Sequence, residues 1–299
     1  MLRNTLRMTV SLLLLLSLGA GAEKYRAGLP NIGNEIVIAK GDIPTPTQYQ
    51  PMIAAYMKTM GVQVAAIEAQ LITLQGALNA GNWQAAQQAY IQAHYDYETI
   101  RAVVVVFGHA DRVINPHASY FLEQERDPKF IGFHRVEYAL FSTNDKSDAL
   151  AATQALLRNV QDLKQRVAVE TLPIAKLVQS ADDSIELILE TKLGGDENRY
   201  SRSDLADIAA NLQGARWIVD GLAPFLPSEI VTSLNTQFDT LDSVMANYRS
   251  AQGQYFHYEQ LSHRDKQQLY AQLTQLAEAL SGLRTALKID VYYKYRNEP

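Results

Sequence analysis

Apolar residues first recur with helical spacing between Gln48 and Asn79. They alternate at intervals of four and three positions, which is typical of a helix that packs along one face. Asn79-Ala-Gly81 supplies residue types that favour a helix C-terminus, so we predict that the first helix ends there. The positions of this stripe are Ile53, Met57, Met60, Val64, Ile67, Leu71, Leu74 and Leu78.

A second stripe follows directly after Gly81. Because the connection is so short, we predict that the two helices form an antiparallel hairpin. His94 and Glu98 lie four positions apart on the second helix and therefore share a face. The apolar or aromatic positions of this stripe are Trp83, Ala86, Tyr90, Ala93, Tyr97, Ile100, Val104 and Phe107.

The rest of the chain continues the helical pattern as far as Leu287. Pro173 marks a break, and Ser201 with Asp204 three positions on resembles a capping box that opens a helix at Leu205. Alternation typical of strands is absent outside residues 23–47, where Val37 and Ile38 could form a short strand or pack on the surface. We predict an all-α fold in two bundles, residues 48–172 and 173–299.

The N-terminal residues have the features of an export signal. Residues 1–22 combine two arginines, an apolar run and an Ala20-Gly-Ala22 cleavage site, so we predict a cleaved signal peptide. Residues 23–47 are rich in proline and glycine and are predicted to be an extended leader. The apolar run is too short to cross a bilayer, and the chain has no cysteine to carry a lipid anchor. We therefore expect an exported protein that is not embedded in the membrane.

Composition limits the chemistry that the chain can carry. Without cysteine, a metal can bind only through oxygen and nitrogen ligands, which suits iron, zinc, manganese or calcium better than soft Cu(I). The formal net charge is −5, and it becomes −7 once the two arginines of the signal are removed. This balance argues against nucleic acid as a partner.

Four of the six histidines fall between residues 94 and 137. Within Gly132-Phe-His134-Arg-Val-Glu137, the imidazole and the carboxylate lie three positions apart, so they share a face if the run is helical. Helical bundles use a Glu and a His at this separation to build interior metal sites. The spacing alone equally fits a histidine that is hydrogen-bonded to a neighbouring glutamate.

Four stretches taken in order strengthen the metal interpretation. They are Tyr97-Glu98, Phe107-Gly-His-Ala-Asp111, the run from Asp127 to Phe141, and Glu197-Asn-Arg-Tyr-Ser-Arg-Ser-Asp204-Leu. Together they resemble the imelysin family, and within it the EfeO/EfeM type of bacterial iron-uptake component. The resemblance extends from about Gln48 to the end of the chain. It implies two four-helix bundles in a pseudo-twofold arrangement, with a cleft between them.

The resemblance also implies a metal site. It assigns His134, Glu137, Glu98 and Asp111 as ligands, with His94, Tyr200 and Asp204 as possible additions. Arg101 stands where some relatives carry a second acid, and the leader is too short for the N-terminal cupredoxin domain of longer relatives. His109 and His117 are interpreted as surface loop residues.

The resemblance implies a periplasmic location and suggests three candidate functions. The first is a non-catalytic, monomeric carrier of a divalent or trivalent ion, with iron first and Zn, Mn, Cu or Ca as alternatives. Such a carrier would deliver iron to an inner-membrane permease and meet other periplasmic partner proteins. The second is an imelysin-type metallopeptidase, although no second histidine lies four positions after His134. The third is binding of an acidic polysaccharide such as alginate through bound cations, with Tyr90, Tyr95 and Tyr97 as candidates to stack on sugars.

Overall fold

The computed structural model describes residues 44–289 with their side chains, and residues 35–38 and 293–296 as backbone. The predicted signal, residues 1–22, and most of the predicted leader lie outside the described residues. Strand β1, Glu35–Ile38, pairs antiparallel with β2, Tyr293–Arg296, with Glu35 opposite Arg296. The short strand predicted around Val37 and Ile38 is therefore confirmed.

Residues 44–291 form a second, compact unit that is helical wherever it is regular. The all-α fold class is confirmed for this unit. Short 3₁₀ turns lie between several of the helices. The α-helices are α1 Gln50–Asn79, α2 Trp83–Glu98, α3 Arg101–Val104, α4 Ala110–Ile114, α5 Phe133–Glu137, α6 Lys146–Val169, α7 Ile174–Leu187, α8 Asp204–Leu222, α9 Ser228–Ala246, α10 His263–Ser281 and α11 Leu283–Ala286.

Helices α1 and α2 form the predicted hairpin. Every position of the first stripe from Met60 to Leu78 is buried, so this face of α1 packs into the core as predicted. Asn82 begins α2, and its side-chain oxygen accepts a hydrogen bond from the Ala85 amide at 3.0 Å. This cap satisfies one of the free backbone donors at the helix start.

Three local predictions about the helices need correction. The helix predicted over residues 83–107 is interrupted after Glu98 and resumes as α3. Two helices also widen into π-helical turns, over Tyr138–Thr143 and Ile188–Lys192. The capping box was wrong, because Ser203 precedes α8 and the Ser201 hydroxyl instead donates to Glu137 at 2.9 Å. Both π turns and the uncapped helix start adjoin the buried polar cluster described below, as π turns at functional sites often do.

Helix packing brings α2 and α8 together. Helix α1 packs against α2 and α6, α7 packs against α8 and α10, and α2 also packs against α8. Gly214 permits this last contact, because a Cβ atom there would lie 2.1 Å from the Thr99 carbonyl oxygen. The predicted division into two bundles near residue 173 stays a prediction. Residues 44–291 form one compact unit. Within the described part of the chain, no helix is long and apolar enough to cross a bilayer.

Candidate metal centre

Polar and charged side chains meet where α2, α5 and α8 converge. Nearly all of them are fully buried, which is costly unless each group is paired or binds an ion. Gly132 contributes to this geometry, since its φ is +84° and a Cβ atom would lie 2.4 Å from the Ile114 carbonyl oxygen. The close approach sets the start of α5 against the loop that carries Asn115 and His117.

The first group of candidate ligands consists of His117, His134 and Glu197. One ligand atom from each lies within 4.8 Å of the other two. His117 Nε2 is 3.0 Å from Glu197 Oε2, and His134 Nε2 is 3.8 Å from Glu197 Oε1. His134 Nε2 is buried and has no hydrogen-bond partner. A buried, unpartnered ring nitrogen that faces a carboxylate is an atom for which a metal ion would be a partner.

Glu137 holds His134 from the opposite side. Its Oε2 lies 3.1 Å from His134 Nδ1, so the two predicted neighbours on α5 are hydrogen-bonded. Its Oε1 accepts from the Tyr200 amide, the Ser201 amide and the Ser201 hydroxyl at 2.9 to 3.0 Å. Burial alone would raise the pKa of Glu137, but these bonds and His134 outweigh it and lower the pKa. A carboxylate on the far nitrogen of a histidine fixes the ring that ligates a metal.

A second group of candidate ligands, His94, Glu98 and Asp207, lies beside the first. Its ligand atoms also fall within 4.8 Å of one another, and all three residues are buried. His94 Nδ1 is 3.2 Å from Asp207 Oδ1, and His94 Nε2 is 3.1 Å from Asn115 Oδ1. Asp207 on α8 therefore completes this group with His94 and Glu98 from α2.

Two buried cations join the groups. Lys192 Nζ lies 3.0 Å from Glu98 Oε2, and Arg101 donates to Glu98 at 3.0 Å and to Glu197 at 2.6 Å. Burial alone would raise the pKa of Glu98, but the charges of Lys192 and Arg101 lower it to about 2. The same two cations hold the pKa of Glu197 well below its usual range despite its burial. Both carboxyl groups are therefore ionised at neutral pH.

The cluster carries an excess of negative charge. Four fully buried acids, Glu98, Glu137, Glu197 and Asp207, face Lys192 and Arg101, so two negative charges remain among these six groups. Arg101 also pairs with the partly buried Asp111. Burial opposes protonation of His134, but the hydrogen bond to Glu137 and the charges of Glu137 and Glu197 raise its pKa to about 9. A proton on His134 offsets one of the two charges, and a metal ion would offset both.

A comparison with models of protein families gives a match over most of the chain. The imelysin family model (Peptidase_M75) matches residues 52–283. This chain belongs to the imelysin family. The predicted resemblance is therefore confirmed, and the match includes every residue of the two candidate ligand groups.

Three relatives are iron uptake system components named EfeO. The relative from Yersinia pseudotuberculosis serotype I (strain IP32953) is 33% identical over 270 residues, covering 88% of this chain and 72% of the relative. The relative from Yersinia pestis is 34% identical over 241 residues, covering 80% and 64%. The relative from Escherichia coli O1:K1 / APEC is 34% identical over 217 residues, covering 72% and 58%. The matched part of the chain thus spans about three fifths to three quarters of these proteins.

The predicted imelysin ligands occupy different parts of the cluster. His134 and Glu137 pair with each other, whereas Glu98 and His94 belong to the second group. Asp111 accepts from the Tyr97 hydroxyl at 2.6 Å and from Arg101 at 3.0 Å. Their roles as ligands to one ion stay predictions.

The other two possible additions, Tyr200 and Asp204, lie at the edge of the cluster. Tyr200 reaches Glu137 only through its backbone amide, and its hydroxyl donates to Glu125 at 2.6 Å. Asp204 Oδ1 faces the Asn198 amide at 3.3 Å. Burial and the nearby charge of Asp207 raise the pKa of Asp204 to about 7. Either residue as a direct ligand also stays a prediction.

The interpretation of His117 as a surface residue was wrong. Its side chain is only 17% exposed, and its ring centroid lies 4.2 Å from that of His134. His109 is exposed, as predicted. His117 follows Pro116 in a segment without periodicity, so its spacing gave no sign of its position.

Sequence reasoning also missed Lys192, Glu197 and Asp207. A signal for Lys192 was present, because it continues the apolar positions Ile185 and Ile188 at intervals of three and four. A lysine on an apolar stripe indicates a buried cation with acidic partners. Glu197 begins the stretch up to Asp204 that resembles the imelysin family, but it lies in a turn, where spacing does not predict the direction of a side chain.

Proposed function

We propose that this protein is a non-catalytic iron-binding component of an uptake system and holds one ferrous ion between His117, His134 and Glu197. The observation that carries the proposal is His134 Nε2, which is buried and unpartnered and faces Glu197 while Glu137 holds the other ring nitrogen. The excess of two buried negative charges supports a divalent cation as the cargo.

The donor set favours ferrous iron among the candidate metals. Two imidazoles and one carboxylate make the set that non-haem Fe(II) sites use, with further positions left open. Zn(II) and Mn(II) accept the same donors, so geometry and supply, rather than affinity alone, would select iron. Open positions suit a carrier, because a cargo ion must be released.

The setting we propose is the periplasm. The predicted signal at residues 1–22 would export the chain, and the names of its relatives support a role in iron uptake. The partner we propose is an inner-membrane iron permease. The peptidase alternative lacks its second histidine, because Tyr138 stands four positions after His134. Zinc-dependent cleavage of casein that is lost in His134→Ala would reverse this preference.

Anaerobic calorimetric titration with Fe(II) tests the proposal. We expect one ion per chain, and we expect Glu137→Ala to weaken binding by about 10-fold to 100-fold, as loss of an orienting carboxylate does elsewhere. His134→Ala and Glu197→Gln should weaken binding at least as much, because each removes a proposed ligand.

His109→Ala is the matched control for these variants. It removes an exposed histidine outside the cluster and should bind like the wild type. Circular dichroism should show the same helical content in every variant. Unchanged Fe(II) affinity in both His134→Ala and Glu197→Gln would remove the site assignment.

A polysaccharide-binding role is the second candidate, and a cleft favours it. The cleft has a volume of about 710 Å³ and lies between α2 and the loop over residues 249–257. Tyr95 lines it, whereas Tyr90 and Tyr97 are fully buried, so those two cannot stack on sugars as predicted. The glutamines that line it are Gln84, Gln87, Gln88, Gln92, Gln252 and Gln254.

Titration with alginate oligosaccharides tests this second role. Amides and an aromatic face suit vicinal hydroxyl groups and the apolar face of a sugar, so Tyr95→Ala should weaken binding if the cleft holds the ligand. Running the titration with metal-free and metal-loaded protein shows whether a cation takes part. Absence of binding in both forms would reject the role.

A further inference from the structure

Lys192 is a buried lysine that the proposed iron site does not use. Its side chain is fully buried, and its Nζ lies 3.0 Å from Glu98 Oε2, 3.5 Å from Asp207 Oδ2 and 3.5 Å from Glu197 Oε1. Glu98 and Asp207 belong to the second ligand group, and Glu197 belongs to the first. The ammonium group therefore sits between the two groups, with two of its three acidic partners in the second.

The second group has the composition of a metal site. His94, Glu98 and Asp207 offer one imidazole and two carboxylates with ligand atoms within 4.8 Å. Two amide side chains also lie against this group. Asn198 and Asn211 donate through their nitrogens to Asp207 and Glu98 at 2.6 and 3.0 Å. Their own side-chain oxygens are buried without a hydrogen-bond partner. Such oxygen and nitrogen donors suit divalent first-row metals.

The ammonium group of Lys192 neutralises part of the negative charge of this second group. Both acids of the group face Nζ through one oxygen, Glu98 Oε2 and Asp207 Oδ2, while their other oxygens lie 3.5 and 3.2 Å from His94. A divalent ion among them would lie within a few ångströms of the lysine charge, in a dry interior where repulsion is weakly screened. In the first group, Arg101 and Lys192 contact Glu197 through Oε1, at 2.6 and 3.5 Å, whereas Oε2 faces His117 at 3.0 Å. Lys192 therefore contacts both acids of the second group but a single oxygen of the first.

We propose that Lys192 is a built-in counter-cation that closes the His94–Glu98–Asp207 group to metal and so confines the cargo ion to His117, His134 and Glu197. The inference rests on the proposed function, because it makes Lys192 the residue that decides which of the two ligand groups holds the ion. Removing the lysine charge should open a second site for a divalent metal. A lysine that only stabilises the fold would leave no such site behind.

The decisive variant is Lys192→Met combined with Glu197→Gln. It removes one positive and one negative charge, so the net charge of the interior is unchanged. The double variant should therefore be less destabilised than Lys192→Met alone. Glu197→Gln by itself should lose the ion of the first group. The double variant should regain one ion per chain, now held by the second group.

Zn(II) alone is the probe, because it has no redox chemistry and accepts these donors. The metal content per chain after dialysis and the calorimetric stoichiometry should be one for the wild type, near zero for Glu197→Gln and one for the double variant. Adding His94→Ala to the double variant should lower its Zn(II) affinity by at least 10-fold. Adding His134→Ala instead should leave the affinity unchanged. Lys192→Arg with Glu197→Gln keeps the charge and should bind no ion.

The outcomes separate the two proposals. Zn(II) binding by the wild type, with none in a folded double variant, would overturn the role of Lys192 and leave the proposed function standing. Absence of Fe(II) and Zn(II) binding by the wild type would instead reject the first site, whatever the double variant does. Binding by the double variant that His94→Ala does not weaken would also overturn the inference.

Discussion

Asp204 shows how burial changes the chemistry of a single carboxyl group. It is fully buried at the start of α8, and burial together with the charge of Asp207 raises its pKa to about 7. In the unfolded chain an aspartate has a pKa of about 4. The folded state therefore binds more protons between these two pH values, and the free energy of unfolding falls as pH rises from about 4 to about 7.

The first prediction concerns Asp204→Asn. The variant cannot ionise, so its free energy of unfolding relative to the wild type should grow by about 1 to 3 kcal/mol between pH 4 and pH 8. Urea denaturation of metal-free protein at both pH values measures this change. Asp220→Asn, an exposed site on the same helix, is the matched control. A difference for Asp204→Asn that does not vary with pH would contradict the prediction.

Residue spacing predicted part of the site. The three-residue interval between His134 and Glu137 predicted that they share a face, and they are hydrogen-bonded. Spacing could not predict that Glu137 takes Nδ1 and leaves Nε2 facing Glu197, because that depends on a turn far along the chain. His117 was misjudged for the same reason, since loop residues have no periodicity to show which side they face.

At the scale of helices, the crossing of α2 and α8 builds the second ligand group. Asp207 and Asn211 on α8 reach His94 and Glu98 on α2, and the crossing is close because Gly214 has no side chain. The apolar stripes predicted both helices. They could not predict the interruption after Glu98 or the π turns, since the apolar period continues across both features.

The second prediction is that Gly214→Ala destabilises the protein. The added Cβ would lie 2.1 Å from the Thr99 carbonyl oxygen, and a backbone atom at the packed C-terminal end of α2 cannot move aside cheaply. We expect a loss of about 1 to 3 kcal/mol in the free energy of unfolding, despite the better helix propensity of alanine.

Gly76→Ala in α1 is the control for this crossing. No atom lies within 4 Å of its added Cβ, so the substitution should be neutral or stabilising by up to about 1 kcal/mol. Thermal or urea unfolding of both variants makes the comparison. Equal effects of the two substitutions would show that the α2 and α8 contact does not require glycine at position 214.

Across the whole molecule, the buried cluster couples folding to charge. In the absence of an ion the fold must hold an excess of buried negative charge together, so an ion that binds only the folded state should stabilise it. For a ligand that binds only the folded state, the free energy of unfolding should rise by about 2.7 kcal/mol when free Fe(II) is 100 times its dissociation constant. The measurement is unfolding by urea under anaerobic conditions with and without Fe(II). Equal stabilisation of His134→Ala would contradict binding at the proposed site.

Proton release is the last consequence of this coupling. His134 has a pKa of about 9 in the metal-free protein, because Glu137 and Glu197 outweigh the effect of burial. The ring is therefore protonated at pH 7 and must lose a proton from Nε2 before it can ligate iron. We expect about one proton to be released per ion at pH 7, and the apparent affinity to rise about tenfold per pH unit up to about pH 9. Calorimetry in two buffers with different ionisation enthalpies measures the released proton. Because His134→Ala has no ring to deprotonate, any residual binding by that variant should release fewer protons, and equal release would place the titrating group elsewhere.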